Sequence, residues 1–197
     1  MTGPVPHLHV VTADHIAARS DIAVQARRIA DAGKPALHAR ARLDGRAFVA
    51  FAETLQLAGA PLFVNDRADV ARALDADGLH LPADGLPTHA ARRLFQGAWV
   101  GRSTHSPEEA RAAHADGTDY VFLGPIWSTD SHPDRPPLGL DVIRAAHPAV
   151  VIAIGGVTPE RVAPCRDAGA YGVAVLSAVW DAEDPGSVIR RMMVDLE

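Results

Sequence analysis

The sequence predicts a closed (β/α)8 TIM barrel, an α/β fold, on three observations. The chain has 197 residues, 48% of them hydrophobic and 22% charged, which is typical of one soluble globular domain, so we expect residues 1–197 to form a single domain. Short apolar runs alternate with Ala- and Arg-rich stretches of helical spacing, which favours a parallel sheet with helical crossovers. About eight such units recur at roughly 25 residues each, as in a compact barrel. A doubly wound open sheet is the alternative, but no GxGxxG motif follows the first strand.

Eight apolar runs bounded by Gly, Pro or Asp predict the strands. Most are β-branched or continuously apolar, which is typical of strands buried on both faces. In chain order they cover 8–12, 36–41, 61–65, 78–81, 98–102, 120–124, 150–155 and 172–177. A polar, Pro-rich stretch over 127–138 follows the sixth strand, where a barrel carries its active-site loops.

The stretches between the strands predict the helices. They cover 21–33, 46–59, 67–76, 88–97, 106–117 and 158–169, with a short helical run after residue 177. The first helix is expected to end with Gly33 as its C′ residue. Ser106, followed by a proline and two acids, is expected to cap the fifth of these helices.

Composition excludes several classes of function. The net charge is −5 and no basic run occurs, so nucleic acid is not an expected partner. No apolar run is long enough for a membrane span, the N-terminus lacks a signal-peptide pattern, and a single cysteine excludes internal disulfides, so we expect a cytoplasmic protein. Lys34 is the only lysine and precedes a strand, which disfavours Schiff-base chemistry. No GxSxG, HExxH or Walker A motif occurs.

The turns after the last two predicted strands carry a candidate phosphate site. Gly155 and Gly156 follow the seventh strand, and Leu176 and Ser177 follow the eighth and open a helical run. Glycine lets the backbone approach an anion, and a helix N-terminus offers unpaired N–H groups. In this fold these two turns are the usual phosphate-binding position.

The second and third strands end in charged and polar residues. Alternation would place His38, Arg40 and Arg42 on one face of the second strand, where two arginines favour an anion. Asn65 and Asp66 follow the third strand. Asp66 either binds Mg²⁺ or caps the next helix, and spacing alone favours the cap.

The fourth to sixth strands supply the remaining candidates for the site. The fourth ends near His80, which is either a structural residue or an acid/base group, and the fifth is followed by Ser103 and His105 as substrate-binding and acid/base candidates. The loops after the fourth and sixth strands add hydroxyl, imidazole and carboxylate groups that suit substrate contact and a closing lid. These loop residues are Asp84, Thr129, Ser131 and His132.

These motifs, in this order, resemble those of thiamine phosphate synthases and their TenI relatives. The similarity covers residues 8 to 185 and rests on NDRADVARALDADGLHL, VGRSTHS, GPIWST and AIGG. It implies the barrel fold, cytoplasmic thiamine biosynthesis and a small thiazole phosphate as ligand. The residues that fall on matching thiazole phosphate positions are Ser103, Thr129, Ser131, Gly156, Leu176 and Ser177.

The half of the site that binds the second substrate departs from the synthase pattern. Synthases carry Gln-Leu-Arg-Glu-Lys at the second strand, where this chain has HARAR over 38–42. Asn65 and Asp66 match, and the resemblance makes Asp66 the first Mg²⁺ ligand. The second ligand position holds Gly85, so Asp84 would substitute only if its loop shifts. The lid lysine of synthases aligns with His132.

These departures lead to three hypotheses about function. The leading one is a TenI-like thiazole tautomerase without a metal cofactor, in which His38 or His132 moves a proton and Arg40 and Arg42 hold the substrate carboxylate. TenI proteins, however, place a histidine where this chain has Pro125, so His80 and His105 are further candidates for the base. The alternatives are a Mg²⁺-dependent synthase using Asp66 and Asp84, and a non-catalytic thiazole phosphate binder. A homodimer is common for such barrels, but no sequence patch argues for one.

Overall fold

The computed structural model describes residues 3–129 and 135–196 and confirms the closed barrel. Eight parallel strands pair in chain order, and β8 closes on β1 through the register Leu8↔Val173. The strands are β1 Leu8–Val11, β2 Ala36–Ala39, β3 Leu62–Asn65, β4 Gly78–Leu81, β5 Trp99–Thr104, β6 Tyr120–Leu123, β7 Val151–Ile154 and β8 Gly172–Val175. Because the order is sequential, groups at the carboxyl ends of neighbouring strands lie side by side around one mouth.

Helices follow every strand within the described residues. They are α1 Asp14–Ala17, α2 Ile22–Gly33, α3 Gly45–Gln56, α4 Ala68–Ala73, α5 Thr88–Leu94, α6 Pro107–Ala115, α7 Asp141–Ala145, α8 Pro159–Asp167, α9 Ser177–Trp180 and α10 Pro185–Val194. The predicted Ser106 cap is confirmed, since its side chain accepts a hydrogen bond from the Glu109 N–H. Within residues 3–129 and 135–196, no helix combines the length and the apolar character needed to cross a membrane.

Three helices, α1, α7 and α10, are absent from the sequence-based prediction. The omission of α10 matters most, because it packs against α2 beside the barrel. Its start has a recognisable signal: the Asp184 side chain accepts from the Ser187 N–H, and proline follows at the first helical position.

The prediction for Gly33 is wrong in its role. Gly33 is the last residue of α2, and Lys34 adopts the left-handed conformation at φ 48°, with its N–H donating to the Ala30 carbonyl. A Cβ at Gly33 would lie 3.1 Å from both Ile189 and Met193 of α10. The glycine therefore permits close helix packing, and the adjacent lysine ends the helix.

Large and small side chains alternate inside the barrel. An inner apolar cluster includes Phe63, Tyr120 and Phe122. A Cβ at Gly78 would lie 2.3 Å from the Phe63 ring, and one at Gly101 would lie 2.1 Å from the Tyr120 ring. The two glycines therefore make room for the aromatic rings of the neighbouring strands. The rest of the apolar core lies between the strands and the helices.

Candidate active site

The predicted site residues fall into two arcs of the barrel mouth. The first arc, after β2, β3 and β4, carries the charged and metal-binding candidates: Arg40, Arg42, Asn65, Asp66 and Asp84. The second arc, from the end of β5 to the loop after β8, carries the phosphate candidates: Ser103, Thr129, Gly155, Gly156, Leu176 and Ser177. Ser131 and His132, also predicted for the second arc, lie outside the described residues.

Three histidines lie inside the barrel. His9 and His38 have no exposed surface and His80 is 1% exposed. His38, expected on one face with Arg40 and Arg42, lies inside the barrel, and its side chain is enclosed below the mouth. In this arrangement His38 cannot touch a substrate directly, which speaks against the acid/base role expected for it.

Burial keeps these imidazoles neutral. Desolvation lowers the pKa of His38 to about 4. Desolvation, followed by the charge of His38, lowers the pKa of His9 and of His80 well below the ordinary value. Each ring therefore offers one N–H donor and one nitrogen acceptor near neutral pH.

A hydrogen-bond relay joins the interior to Ser103. His80 Nδ1 lies 3.1 Å from the Tyr120 hydroxyl, and His80 Nε2 lies 2.9 Å from Ser103 Oγ. Burial raises the pKa of Tyr120 well above its ordinary value, so the phenol keeps its proton. A buried hydroxyl without an acceptor is costly, so Tyr120 donates to His80 Nδ1 and His80 Nε2–H donates to Ser103. The Ser103 proton is thereby left to donate into the mouth.

The relay includes a residue that the sequence analysis did not single out. Tyr120 begins a strand and was counted there as apolar β-former, so nothing in the pattern distinguished it from the core. Ser103 was expected just after β5, whereas the strand continues to Thr104 and turns Ser103 toward His80.

Arg40 and Arg42 lie beyond β2 rather than in it. The strand ends at Ala39, because the Thr12 hydroxyl bonds the backbone of Arg40 and the Asp14 carboxylate accepts from the Arg42 N–H at 2.7 Å. The predicted alternation of side chains along a strand over 38–42 is therefore wrong. Both arginines are exposed. The charge of Arg40 also contributes to lowering the pKa of His80, after desolvation, the two other buried histidines and Arg102.

Asp66 does not cap a helix. The N-cap of α4 is Arg67, and its side chain makes no capping hydrogen bond. Asp66 adopts a left-handed conformation at φ 66°, with its N–H donating to the His80 carbonyl and its side chain exposed. A non-glycine residue rarely takes this conformation, and here it occurs at the residue that the family resemblance makes a Mg²⁺ ligand.

The loop after β4 is organised by Arg102. The guanidinium donates to the carbonyls of Pro82 at 2.9 Å and Ala83 at 3.1 Å, and to that of Leu86. Asp84 lies in this loop and is exposed. A Cβ at Gly85 would lie 2.6 Å from the Pro82 ring. The proline at 82 therefore favours glycine at 85, the position where synthases have their second Mg²⁺ ligand.

His105 is already engaged on one side. Its Nδ1 lies 2.8 Å from the Gly124 carbonyl, an acceptor, so the ring donates from Nδ1. Its backbone N–H donates to the Glu109 carboxylate at 2.7 Å. The imidazole therefore bridges the ends of β5 and β6 and leaves Nε2 as an acceptor.

The glycines after β7 allow the neighbouring loop to approach. Gly155 and Gly156 have φ of 93° and 67°. A Cβ at Gly155 would lie 2.6 Å from Pro125, and one at Gly156 would lie 2.8 Å from Trp127 and from the Ser128 carbonyl oxygen. The pair thus has a packing role in addition to the phosphate role expected for it.

The base of the loop after β6 is held by an arginine that sequence reasoning missed. The Arg161 guanidinium lies 4.8 Å from the centre of the Trp127 ring and donates to the Gly156 carbonyl. Thr129, in the same loop, is half-buried. Next along the rim, Ser177 opens α9 and Leu176 precedes it as the N-cap, as expected.

Three comparisons with known proteins bear on this site. A family profile described as thiamine monophosphate synthase matches residues 8–179. A thiamine-phosphate synthase of Natronomonas pharaonis is 49% identical over 142 residues, 68% of this chain and 66% of that protein. One from Mycolicibacterium vanbaalenii is 42% identical over 156 residues, 77% and 71% of the two chains. The alignments therefore span about two thirds of the length of these curated relatives.

Solved structures give the same result for the fold. A thiamine phosphate pyrophosphorylase from Pyrococcus furiosus superposes with a TM-score of 0.80 at 29% identity, over 96% of this chain and 94% of that one. A 3-hexulose-6-phosphate synthase superposes with a TM-score of 0.72 at 15% identity, over 97% and 100%, which is a likeness of fold alone.

Proposed function

The chain belongs to the thiamine monophosphate synthase family, and from that premise we propose that it is a thiamine phosphate synthase. It would join a hydroxymethylpyrimidine diphosphate to a hydroxyethylthiazole phosphate. The thiazole nitrogen attacks the pyrimidine methylene carbon while the bond from that carbon to the diphosphate oxygen breaks, and pyrophosphate leaves. The observation that carries the proposal is the 42–49% identity to relatives named for this activity.

The second arc suits the thiazole phosphate. Ser103 has a hydroxyl proton to donate, and the first N–H groups of α9 have no partner within the helix. Gly155 and Gly156 bring backbone close to the same part of the rim. These neutral donors can bind a phosphate and orient the thiazole nitrogen toward the first arc.

The first arc suits the pyrimidine diphosphate. The exposed Arg40 and Arg42 supply positive charge after β2, and the exposed carboxylate of Asp66 follows the neighbouring strand β3. Among the residues that the structure describes, no group of three or more His, Cys, Asp or Glu is arranged to hold a metal ion. Two carboxylates still fit Mg²⁺, which is usually bound by one or two carboxylates together with substrate phosphates. Asp66 and Asp84 would hold it, and it would neutralise charge on the leaving diphosphate.

The tautomerase hypothesis, which the sequence analysis favoured, has less support. It requires an imidazole at the mouth, and His9, His38 and His80 are buried below it. Of the remaining candidates, His105 has its Nδ1 bonded to the Gly124 carbonyl, and His132 is outside the described residues and bears on neither hypothesis. The names of the relatives also favour the condensing reaction.

The test uses the purified chain with both substrates. We expect pyrophosphate release that requires Mg²⁺ and both substrates, at about 1 s⁻¹ or above, with thiamine phosphate formed in equal amount. Asp66→Asn should reduce it strongly, whereas Asp31→Asn, on α2, should not. Aromatisation of a thiazole carboxylate tautomer without pyrophosphate release would instead support the tautomerase. Tight binding of thiazole phosphate without either reaction would identify a binder.

A further inference from the structure

A chain of hydrogen bonds crosses the barrel through His9 and His38. His9 Nε2 lies 2.8 Å from the Pro6 carbonyl oxygen, which precedes β1. His9 Nδ1 lies 2.8 Å from His38 Nε2, and His38 Nδ1 lies 3.0 Å from Oδ1 of the Asn65 side-chain amide, at the last residue of β3. The chain thus runs from the amino end of the barrel to the first arc of the mouth.

Among the residues that the structure describes, none places a balancing negative charge against the pair. The rings of Phe63, Tyr120, Phe122 and His80 pack around the two imidazoles. The ionisable groups acting on His9 and His80 from outside the pair are His7, Arg40 and Arg102, and each disfavours a further positive charge. Placing a cation in such a site without a partner is costly, so both rings are neutral near pH 7 and carry two protons in total.

Counting protons decides which end of the Asn65 amide faces His38. With the amide oxygen toward His38, as the 3.0 Å contact has it, Nδ1 must carry the His38 proton, and Nε2 must then accept from His9 Nδ1. His9 Nε2 would have no proton and would face the Pro6 oxygen, so two acceptors would lie 2.8 Å apart. If the amide NH2 group faces His38, all three contacts are hydrogen bonds: Asn65 donates to His38 Nδ1, His38 Nε2–H to His9 Nδ1, and His9 Nε2–H to Pro6.

We propose that His9 and His38 are positioning residues that hold the Asn65 amide with its NH2 group toward the barrel interior and its oxygen toward the mouth. The oxygen and NH2 ends are nearly the same size, so this orientation needs only a half-turn of the amide. Asn65 then offers an acceptor, which binds a hydrogen-bond donor such as an amino group and repels a phosphate oxygen. If the proposed function holds, that donor is the amino group of the pyrimidine, and the diphosphate is left to Arg40 and Arg42.

The protonation pattern can be measured without any substrate. In the protein with ¹⁵N-labelled histidine at pH 7, two-bond ¹⁵N–¹H correlation spectra distinguish the Nδ1–H and Nε2–H forms. We expect His9 and His38 both to be neutral and protonated at Nε2, with His80 in the same form as an internal reference. A His38 protonated at Nδ1, alone or as an imidazolium, would overturn the proposal. Because this readout needs no turnover, it stands apart from the success or failure of the pyrophosphate assay.

Variants at His9 test the positioning role. In His9→Leu the His38 Nε2–H loses its acceptor, so we expect His38 to change to the Nδ1–H form and Asn65 to turn its NH2 group outward. With both substrates, KM for the pyrimidine diphosphate should rise about 10-fold, while Kd for thiazole phosphate should not change. His9→Asn retains an oxygen near the Nδ1 position and is the matched control, expected to keep His38 in the Nε2–H form.

Two outcomes with these variants decide the matter further. An unchanged His38 form in folded His9→Leu would reduce His9 to a packing residue and refute the proposal. If His9→Leu fails to fold, the spectra of the wild type and of His9→Asn still give the protonation of His38 and decide the orientation of Asn65.

Discussion

At the scale of single residues, Ser103 and Ser106 lie only three positions apart in the sequence but have different roles. Ser103 receives a hydrogen bond from His80 and retains its own proton for the mouth, whereas Ser106 accepts from the Glu109 N–H and begins α6. Both are serines near the end of β5, so composition does not distinguish them. Spacing to the following Pro107 and acids identifies the cap, whereas the ligand contact of Ser103 is a prediction from the family resemblance.

These two serines make a matched pair of variants. Ser103→Ala should raise Kd for thiazole phosphate about 10-fold, because a hydrogen bond to a charged oxygen is lost. Ser106→Ala should lower the free energy of unfolding by about 1 kcal/mol and leave Kd unchanged. Calorimetry and chemical denaturation on both variants check this. A weaker affinity in both, or in neither, would contradict the separation.

At the scale of elements, the loop after β4 explains how this mouth departs from the synthase pattern. Pro82 and Gly85 are complementary, since a Cβ at 85 would lie 2.6 Å from the Pro82 ring. Arg102 then fixes the loop by donating to the carbonyls of Pro82, Ala83 and Leu86. Asp84 is therefore displayed by a defined loop, although the synthase ligand position beside it is glycine.

Placing a carboxylate at the synthase ligand position 85 should require two changes together. Gly85→Asp alone should reduce pyrophosphate release because its Cβ meets the proline ring, and Pro82→Gly alone should change little. Pro82→Gly with Gly85→Asp should lower the Mg²⁺ concentration for half-maximal release several-fold, since a carboxylate added to Asp66 and Asp84 strengthens a hard-cation site. Mg²⁺ titrations of all four proteins provide the measurement. A double variant no better than Gly85→Asp would show that position 85 is not directed at the metal.

The elements themselves could be predicted from the sequence to different degrees. All eight strands are where apolar runs indicated, because strands buried on both faces leave a continuous signal. The role of Gly33 was not predictable, because it depends on Ile189 and Met193, more than 150 residues away. The same holds for Arg102 and Arg161, whose partners are backbone carbonyls and a ring in other loops. A local pattern cannot report such contacts.

At the scale of the whole molecule, three buried neutral histidines make stability depend on pH. Their pKa values lie below the ordinary 6.5, for His38 at about 4, so the unfolded chain binds more protons than the folded one between these values. Stability is therefore fully present above pH 6.5 and is lost as pH falls toward 4, by up to about 1.4 kcal/mol per pH unit for each histidine. The exposed carboxyls of Asp21 and Asp69 have pKa values of about 2, so their titration affects stability at lower pH than that of the histidines.

Denaturation curves between pH 7.5 and 4.5 measure this slope. The free energy of unfolding should fall across the interval in the wild type, and the fall should be reduced by about a third in His38→Gln, because one of three groups is removed. A flat profile would mean that the barrel interior admits charge or water at these positions.

In the proposed reaction, the sequential order of the strands would give the two substrates separate arcs of one mouth. Charged groups follow β2 to β4, and neutral donors and glycines run from β5 to the loop after β8. The contact between His80 and Ser103 lies where the arcs meet, so the bond that forms in the proposed reaction would lie near the ends of β4 and β5. Variants in one arc should therefore alter the binding of one substrate only.

Two variants and two ligands test this division. Asparagine tolerates the left-handed conformation of residue 66. Asp66→Asn should weaken binding of Mg²⁺ with inorganic diphosphate more than about 10-fold. It should leave Kd for thiazole phosphate within about twofold. Gly156→Ala should do the reverse, because its Cβ would lie 2.8 Å from Trp127 and force the second arc apart. Calorimetry with each ligand alone avoids any effect of binding order. If either variant weakens both ligands equally, the two arcs act as one site, and the division of the mouth between the substrates is wrong.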